Sequence, residues 1–345
     1  MNVSPNELRE FSLKCFIAYG VPRDQAEVVV DHLIMASLRG VDSHGIIRLP
    51  YYLNGIEKGY VKPAAKIKIL RETPVTALID GGMGLGIFVA TYSTRLAIRK
   101  AKSSGIVLVG AKNLGHVGML AYYTKLLAEN GLIGFACANG PSLVAPWGGR
   151  ERIFGTNPIS VGFPANGKPV IIDMATSAMA SFRIRLAKIK GEKIPNDAAL
   201  DKEGRPTNDP EAALKGVLLP FGGHKGYAFS LMVEILSSAL LGAPMSKEII
   251  HHPSTQGGFL VAALDASIFR NYEDYKRDIL KIIELIKKCE PMHGVKEVLL
   301  PGEPEELIYE KRVKTGIPID QETWKRLLEI AEKLGIAPPK IMRSP

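Results

Sequence analysis

Cysteine is scarce in this chain: three among 345 residues, at positions 15, 137 and 289. An odd number at wide separation builds no disulfide framework and matches no metal-ligand spacing. Cys15 and Cys137 sit in apolar surroundings and are expected to be small core residues. No His-Glu-x-x-His run occurs and His251-His252 has no companion cluster, so no metal is expected. Long hydrophobic runs are lacking as well. The most apolar stretch, 228–241, is interrupted by Glu234 and is too short to span a bilayer. Met1-Asn2-Val3-Ser4-Pro5 leads into a polar helix start rather than a secretory leader, so a soluble, cytoplasmic protein is expected. The net charge of +9 raises nucleic acid as a partner. However, the only strongly one-signed run, 183–193, lacks the aromatic residues that stack on bases. A basic solvated face, or attraction for anionic substrates and cofactor phosphates, fits better.

With 46% hydrophobic and 23% charged residues, the chain can bury a large core, in two domains or in one with a substantial insertion. Ser4-Pro5-Asn6-Glu7 reads as a helix start, followed by Leu8, Phe11, Cys15, Phe16 and Tyr19 at helical spacing and ended by Gly20. A second helix runs from about Arg23 to Gly40. A third covers roughly 43–58, with Pro50 either distorting it or marking its true first turn. From about Lys66 the pattern becomes mixed. Strands are expected near 66–70, 75–79, 105–111, 132–138 and 258–264, with at least two more within 151–176. Helices are expected near 88–102, 119–129, 271–288 and 321–334, and residues 222–241 read as a loop entering a long helix. Helices at both ends thus bracket a mixed α/β middle. The expected division is a helical domain from 1–65 and about 305–345, with an inserted α/β cofactor-binding domain over about 66–304.

Gly81-Gly82-Met83-Gly84-Leu85-Gly86, between a strand and a helix, suggests a dinucleotide-binding loop. The G-x-G-x-x-G spacing fails, because residue 87 is isoleucine, and the strand over 105–111 ends in no acidic residue for a ribose. These glycines are expected to permit a tight turn at positive φ. Other segments carry more chemistry. Asp42-Ser43-His44-Gly45-Ile46-Ile47-Arg48 follows a helix and, if helical, puts His44 and Arg48 on one face. Taken alone, such a Ser-His pair is ordinary surface chemistry. Gly115-His116-Val117-Gly118 offers a histidine between glycines in a loop. Gly222-Gly223-His224-Lys225-Gly226 has the composition of a phosphate-binding turn but not the P-loop spacing. Asp173-Met174-Ala175-Thr176-Ser177 ends a buried strand with an acid and two hydroxyls.

Six motifs in order resemble the malate/L-lactate dehydrogenase family that is distinct from Rossmann-type enzymes. They are Ser43-His44-Gly45 with Arg48, Asn113-Leu114-Gly115-His116-Val117-Gly118, Gly155-Thr156-Asn157-Pro158, Asp173-Met174-Ala175-Thr176-Ser177, Gly223-His224-Lys225-Gly226-Tyr227 and Pro301-Gly302-Glu303. The resemblance implies a mixed α+β, non-Rossmann fold with a mostly antiparallel sheet, and a homodimer. It also implies an NAD-dependent oxidoreductase, with NADP as the alternative cofactor, interconverting a small 2-keto acid and an (S)-2-hydroxy acid. Malate/oxaloacetate leads; L-sulfolactate, L-lactate, and diketo-acid or ketimine reduction are alternatives. A nucleotide-binding regulator is the non-enzyme alternative.

By the same resemblance, His44 is the proton donor supported by Ser43, and Arg48 binds the substrate carboxylate. His116 is a second candidate for the acid/base. The implied cofactor-contacting residues are His116, Val117, Gly118, Met119 and Leu120; Asp173, Met174, Ala175 and Thr176; His224, Lys225 and Gly226; and Pro301, Gly302 and Glu303. Some ketimine-reducing relatives complete a relay with an acidic residue ten positions after the motif aspartate. Here that position is Arg183, which favours a keto acid/hydroxy acid pair.

Overall fold

The computed structural model describes residues 1–342. A short strand β1 (Asn2–Val3) leads into α1 (Pro5–Ala18), started by Ser4, whose hydroxyl accepts the Glu7 N–H at 3.2 Å. α2 (Arg23–Leu38) packs on α1 and buries Ala26, Val29, Val30 and Leu33. The expected third helix is shorter than its pattern suggests. Residues 42–48 form two 3₁₀ turns, Asp42–His44 and Ile46–Arg48, and α3 (Leu49–Glu57) begins only afterwards, with Pro50 in its first turn. Gly45, at φ −88° and ψ −149°, breaks the helical path, so His44 and Arg48 do not share an α-helical face.

The middle of the chain supplies β2 (Lys68–Glu72), β3 (Thr76–Gly84), α4 (Gly86–Ser104), β4 (Ile106–Leu114), α5 (Ala121–Glu129), β5 (Leu132–Ala138), β6 (Ile159–Phe163) and β7 (Val170–Met174). Then come α6 (Ser181–Lys190), β8 (Ala199–Leu200), α7 (Pro210–Lys215), β9 (Val217–Leu218), α8 (His224–Glu234) and β10 (Phe259–Asp265). α8 passes into a π turn, Ile235–Ala239. The chain ends with α9 (Tyr272–Lys287), α10 (Glu303–Thr315), β11 (Ile317–Pro318) and α11 (Gln321–Leu334). The central sheet has the order β2-β3-β4-β10-β5-β6-β7. Only β3 and β4 are parallel; every other neighbouring pair is antiparallel. This is the mixed, mostly antiparallel architecture expected, and it is unlike a doubly wound sheet.

α4 and α5 cover one face of the sheet through Val89, Ala97, Val109, Tyr123, Leu127 and Val261. The other face buries Cys137, Ile159 and Leu260 against Val233 and Leu241. A separate core joins the chain ends: Leu8, Phe16, Leu33 and Leu53 pack with Ile317, Leu327 and Ala331, and β1 pairs with β11. Among the described residues, no helix is long and apolar enough to cross a membrane.

The glycine run at 81–86 serves chain packing more than turning. Gly82 has φ +58°, as a tight turn requires, but a Cβ on Gly84 would lie 2.1 Å from the Ala65 Cβ. One on Gly86 would lie 1.8 Å from the Gly115 carbonyl oxygen. The loop that looked like a dinucleotide cradle is filled by the chain itself.

Candidate active site

The turn at 42–48 and the loop after β4 meet face to face. The imidazoles of His44 and His116 stack with ring centroids 5.3 Å apart and planes 11° from parallel. The hydroxyl of Tyr52, a residue of α3 that is 2% exposed, lies 2.7 Å from His116 Nδ1. The Gly118 N–H donates to the same nitrogen at 3.3 Å. A backbone N–H can only donate, so Nδ1 is the acceptor and neutral His116 carries its proton on Nε2. His116 is fixed further by its own N–H, which donates to the Ser254 carbonyl at 2.8 Å.

His44 is held differently. Its Nδ1 is buried with no hydrogen-bond partner, so the Ser43 hydroxyl makes no bond to that nitrogen. Arg48 folds back on the turn: its Nε donates to the Ser43 carbonyl at 2.6 Å and its Nη1 to the Pro253 carbonyl at 3.5 Å. No carboxylate among the described residues pairs with this guanidinium, so its charge is free for an anionic ligand. Burial, then the positive charge of Arg48, holds both His44 and His116 well below the ordinary imidazole range. Both rings are therefore neutral at pH 7 in the free protein.

The remaining motif segments form a contiguous wall beside this pair. His32, fully buried on α2, accepts the Met119 N–H at 2.9 Å through Nε2, and Tyr123 donates to the Val117 carbonyl. Asp173, at the end of β7, accepts the Ala121 N–H at 2.8 Å through Oδ2. One side of Asp173 stays open to solvent, yet the surrounding protein pushes its carboxyl up to about 7, against that hydrogen bond. Thr176 is buried. Its N–H and hydroxyl both donate to the Thr156 carbonyl, and its hydroxyl accepts from Ser230 of α8 at 2.8 Å.

The Phe221 N–H donates to the Thr176 carbonyl, which sets the start of α8 beside the end of β7. Gly222 and Gly223 reach φ +53° and +63°, and His224 and Lys225 are exposed, Lys225 with no acid partner among the described residues. A Cβ on Gly302 would lie 2.7 Å from the Ile171 carbonyl oxygen, so the Pro301-Gly302-Glu303 segment abuts the same strand. Segments 116–121, 171–176, 221–226 and 301–303 thus come together, whereas no hydrogen bond joins His224 or Lys225 to the histidine pair.

Sequence reasoning missed Tyr52. Nothing local marks it, because its partner is 64 residues away. It also missed the polar knot around Glu234, where the carboxylate accepts Asn157 Nδ2 at 2.8 Å and the N–H and hydroxyl of Ser246 at 2.7 Å each. A buried acid in an otherwise apolar stretch was the available signal: Glu234 ties β5, β6 and the segment after the π turn together behind the α8 wall.

Comparison with known proteins agrees over nearly the whole chain. The sequence model of a family described as malate/L-lactate dehydrogenase matches residues 3–328. A malate/(S)-sulfolactate dehydrogenase of Methanothermus fervidus is 40% identical over 341 residues, covering 97% of this chain and 99% of that protein. A malate dehydrogenase of Pyrococcus horikoshii is 41% identical over 349 residues, covering 97% and 96%. The solved sulfolactate dehydrogenase of Methanocaldococcus jannaschii superposes with a TM-score of 0.92 at 38% identity, covering 97% of this chain and 98% of that one.

Proposed function

Since the chain belongs to the malate/L-lactate dehydrogenase family, and is thus a dehydrogenase of hydroxy acids with a nicotinamide cofactor, we propose that it interconverts oxaloacetate and (S)-malate with NAD. NADP is the alternative cofactor and sulfolactate the alternative substrate, each carried by the same site. The observation that carries the reading is a guanidinium without an acid partner, Arg48, beside two stacked neutral imidazoles. A carboxylate clamp next to a proton-exchanging group is what a 2-keto acid requires.

The residues fit a dinucleotide. At the start of α8 the positive-φ Gly222 borders open space, with nothing within 4 Å of a Cβ there, and Lys225, unpaired among the described residues, supplies charge for a phosphate. The segments 116–120, 173–176, 224–226 and 301–303 would hold the cofactor, which when bound supplies or accepts the hydride. Arg48 would take the substrate carboxylate through its fork and orient the carbonyl. His44 would give a proton to the oxygen in reduction and remove it in oxidation, with Ser43 beside it. His116, fixed as its Nε2–H tautomer, has a donor available for the same oxygen. A bound carboxylate offsets the Arg48 charge and raises His44 toward the working range.

Arg183 is exposed on α6 and stands where some relatives carry a relay acid, which supports a keto acid over an imine. The exposed apolar residues Phe269, Ile282 and Leu285, the last two on a helix that fully buries none of its residues, support a homodimer. The test is a panel of oxaloacetate, sulfopyruvate and pyruvate with NADH and NADPH. Oxaloacetate with NADH is expected to give the highest kcat/KM; no turnover of any 2-keto acid would defeat the reading.

A further inference from the structure

We propose that Arg312, on the last turn of α10, is a positioning residue for His44, acting through a forked ion pair with Asp42. The inference rests on the reading of His44 as the proton-exchanging group. Arg312 Nη1 and Nη2 meet the two Asp42 carboxylate oxygens at 2.5 and 3.0 Å. Nη1 also donates to the Ser37 carbonyl at 2.5 Å, and the guanidinium side chain is only 15% exposed. Two parallel charge-assisted bonds fix both distance and orientation, so Asp42 is held in one place.

The local structure makes this clamp consequential. The residues carrying Ser43 and His44 form isolated 3₁₀ turns, with no i→i−4 ladder to hold them. His44 Nδ1 has no partner, so no side-chain hydrogen bond through that nitrogen orients the ring. What places the imidazole is its stack on His116 and the backbone of its own turn. That backbone is gripped on one side by Ser37, whose hydroxyl accepts the Ile46 N–H at 2.9 Å, and on the other by Arg312. Ser37 is shared between the grips, since its carbonyl is bound by Arg312 as well. Arg39 ties the opposite end of α10 to α2, through Glu306 at 2.5 Å and the Gly302 carbonyl at 3.3 Å. α10 is thus a strut from the Gly302 segment to the proton-exchanging turn.

The test compares wild type, Arg312→Ala, Arg312→Lys and Asp42→Asn, with His44→Ala alongside. Each full-length protein is assayed for kcat and KM with the best 2-keto acid, for NADH binding by fluorescence, and for the pH profile. Arg312→Ala is expected to lower kcat by about 10-fold or more while NADH affinity stays within about 3-fold. Arg312→Lys restores part of that loss. Asp42→Asn lowers kcat similarly. The charged and titratable groups facing His44 are Arg48, His116 and His32, with Asp42 on its own turn and Arg312 on α10 beside it. Arg312→Ala leaves the Asp42 carboxylate unpaired and moves the limb of the profile upward by about half a pH unit, whereas Asp42→Asn leaves the Arg312 cation unpaired and moves it downward. An unchanged kcat in Arg312→Ala would overturn the proposal. So would a loss explained wholly by a smaller folded fraction, with the pH profile fixed. Full activity in His44→Ala would instead overturn the reading beneath it.

Discussion

At Arg48 the guanidinium spends two of its donors on carbonyl oxygens and, among the described residues, none on a carboxylate, so its charge has no acid partner. Arg48→Lys should therefore raise the KM for the keto acid by about 10-fold or more, because an ammonium cannot make two parallel bonds. An unchanged KM would remove Arg48 from substrate binding. The histidines set a pH dependence. Burial first, and Arg48 second, hold His44 well below its ordinary value of 6.5, so the neutral base is the form present at pH 7. Hydroxy-acid oxidation uses that form, and its kcat/KM should be flat from about pH 6.5 to 8 and fall only in acid. Keto-acid reduction uses the imidazolium, and its kcat/KM should fall about tenfold per pH unit over the same range. An oxidation limb centred at or above 6.5 would contradict the assignment. Ser43, His44 and Arg48 were legible in the sequence because they lie within six consecutive residues. Tyr52 and Arg312 were not, since each touches its partner across 64 or 270 residues and neither has a local signature.

Elements with a strong apolar period were read nearly to the residue: α9 and α11 begin after their caps, Asn271 and Asp320, and end within a residue of the expected limits. The helix expected over 43–58 was not, because Gly45 and Pro50 divide a helical composition into two 3₁₀ turns and a short helix. α6 and α10 escaped for a different reason. Unlike α9, which also buries nothing fully, α6 and α10 spread their apolar residues around the helix, so neither shows a one-sided apolar stripe. The glycine run was legible as something other than a nucleotide loop, but the close approach of Gly86 to Gly115 is tertiary and has no sequence signal. Gly86→Ala puts a Cβ 1.8 Å from the Gly115 oxygen and 2.7 Å from the His116 carbonyl carbon. It should cost on the order of 3 kcal/mol in denaturant unfolding and lower turnover by displacing His116. Wild-type stability in that variant would mean the contact relaxes without strain.

At the level of the whole molecule, the two chain ends close on each other through β1 and β11 and frame the His44 turn, while the sheet edge at β7 and the start of α8 form the wall opposite. α9 is the element this arrangement leaves unsatisfied: amphipathic, with Leu285 71% and Ile282 53% exposed. Light scattering should give twice the chain mass of 37.5 kDa, and a single-chain mass at all concentrations would contradict the dimer. The central claim, that His44 exchanges the proton of a 2-keto acid clamped by Arg48, is tested most directly by NADH consumption with oxaloacetate in wild type and His44→Ala. The account predicts a 10²- to 10⁴-fold loss of kcat, roughly what a lost general acid costs, with NADH binding retained. Wild-type turnover in His44→Ala would contradict it and shift the proton to His116.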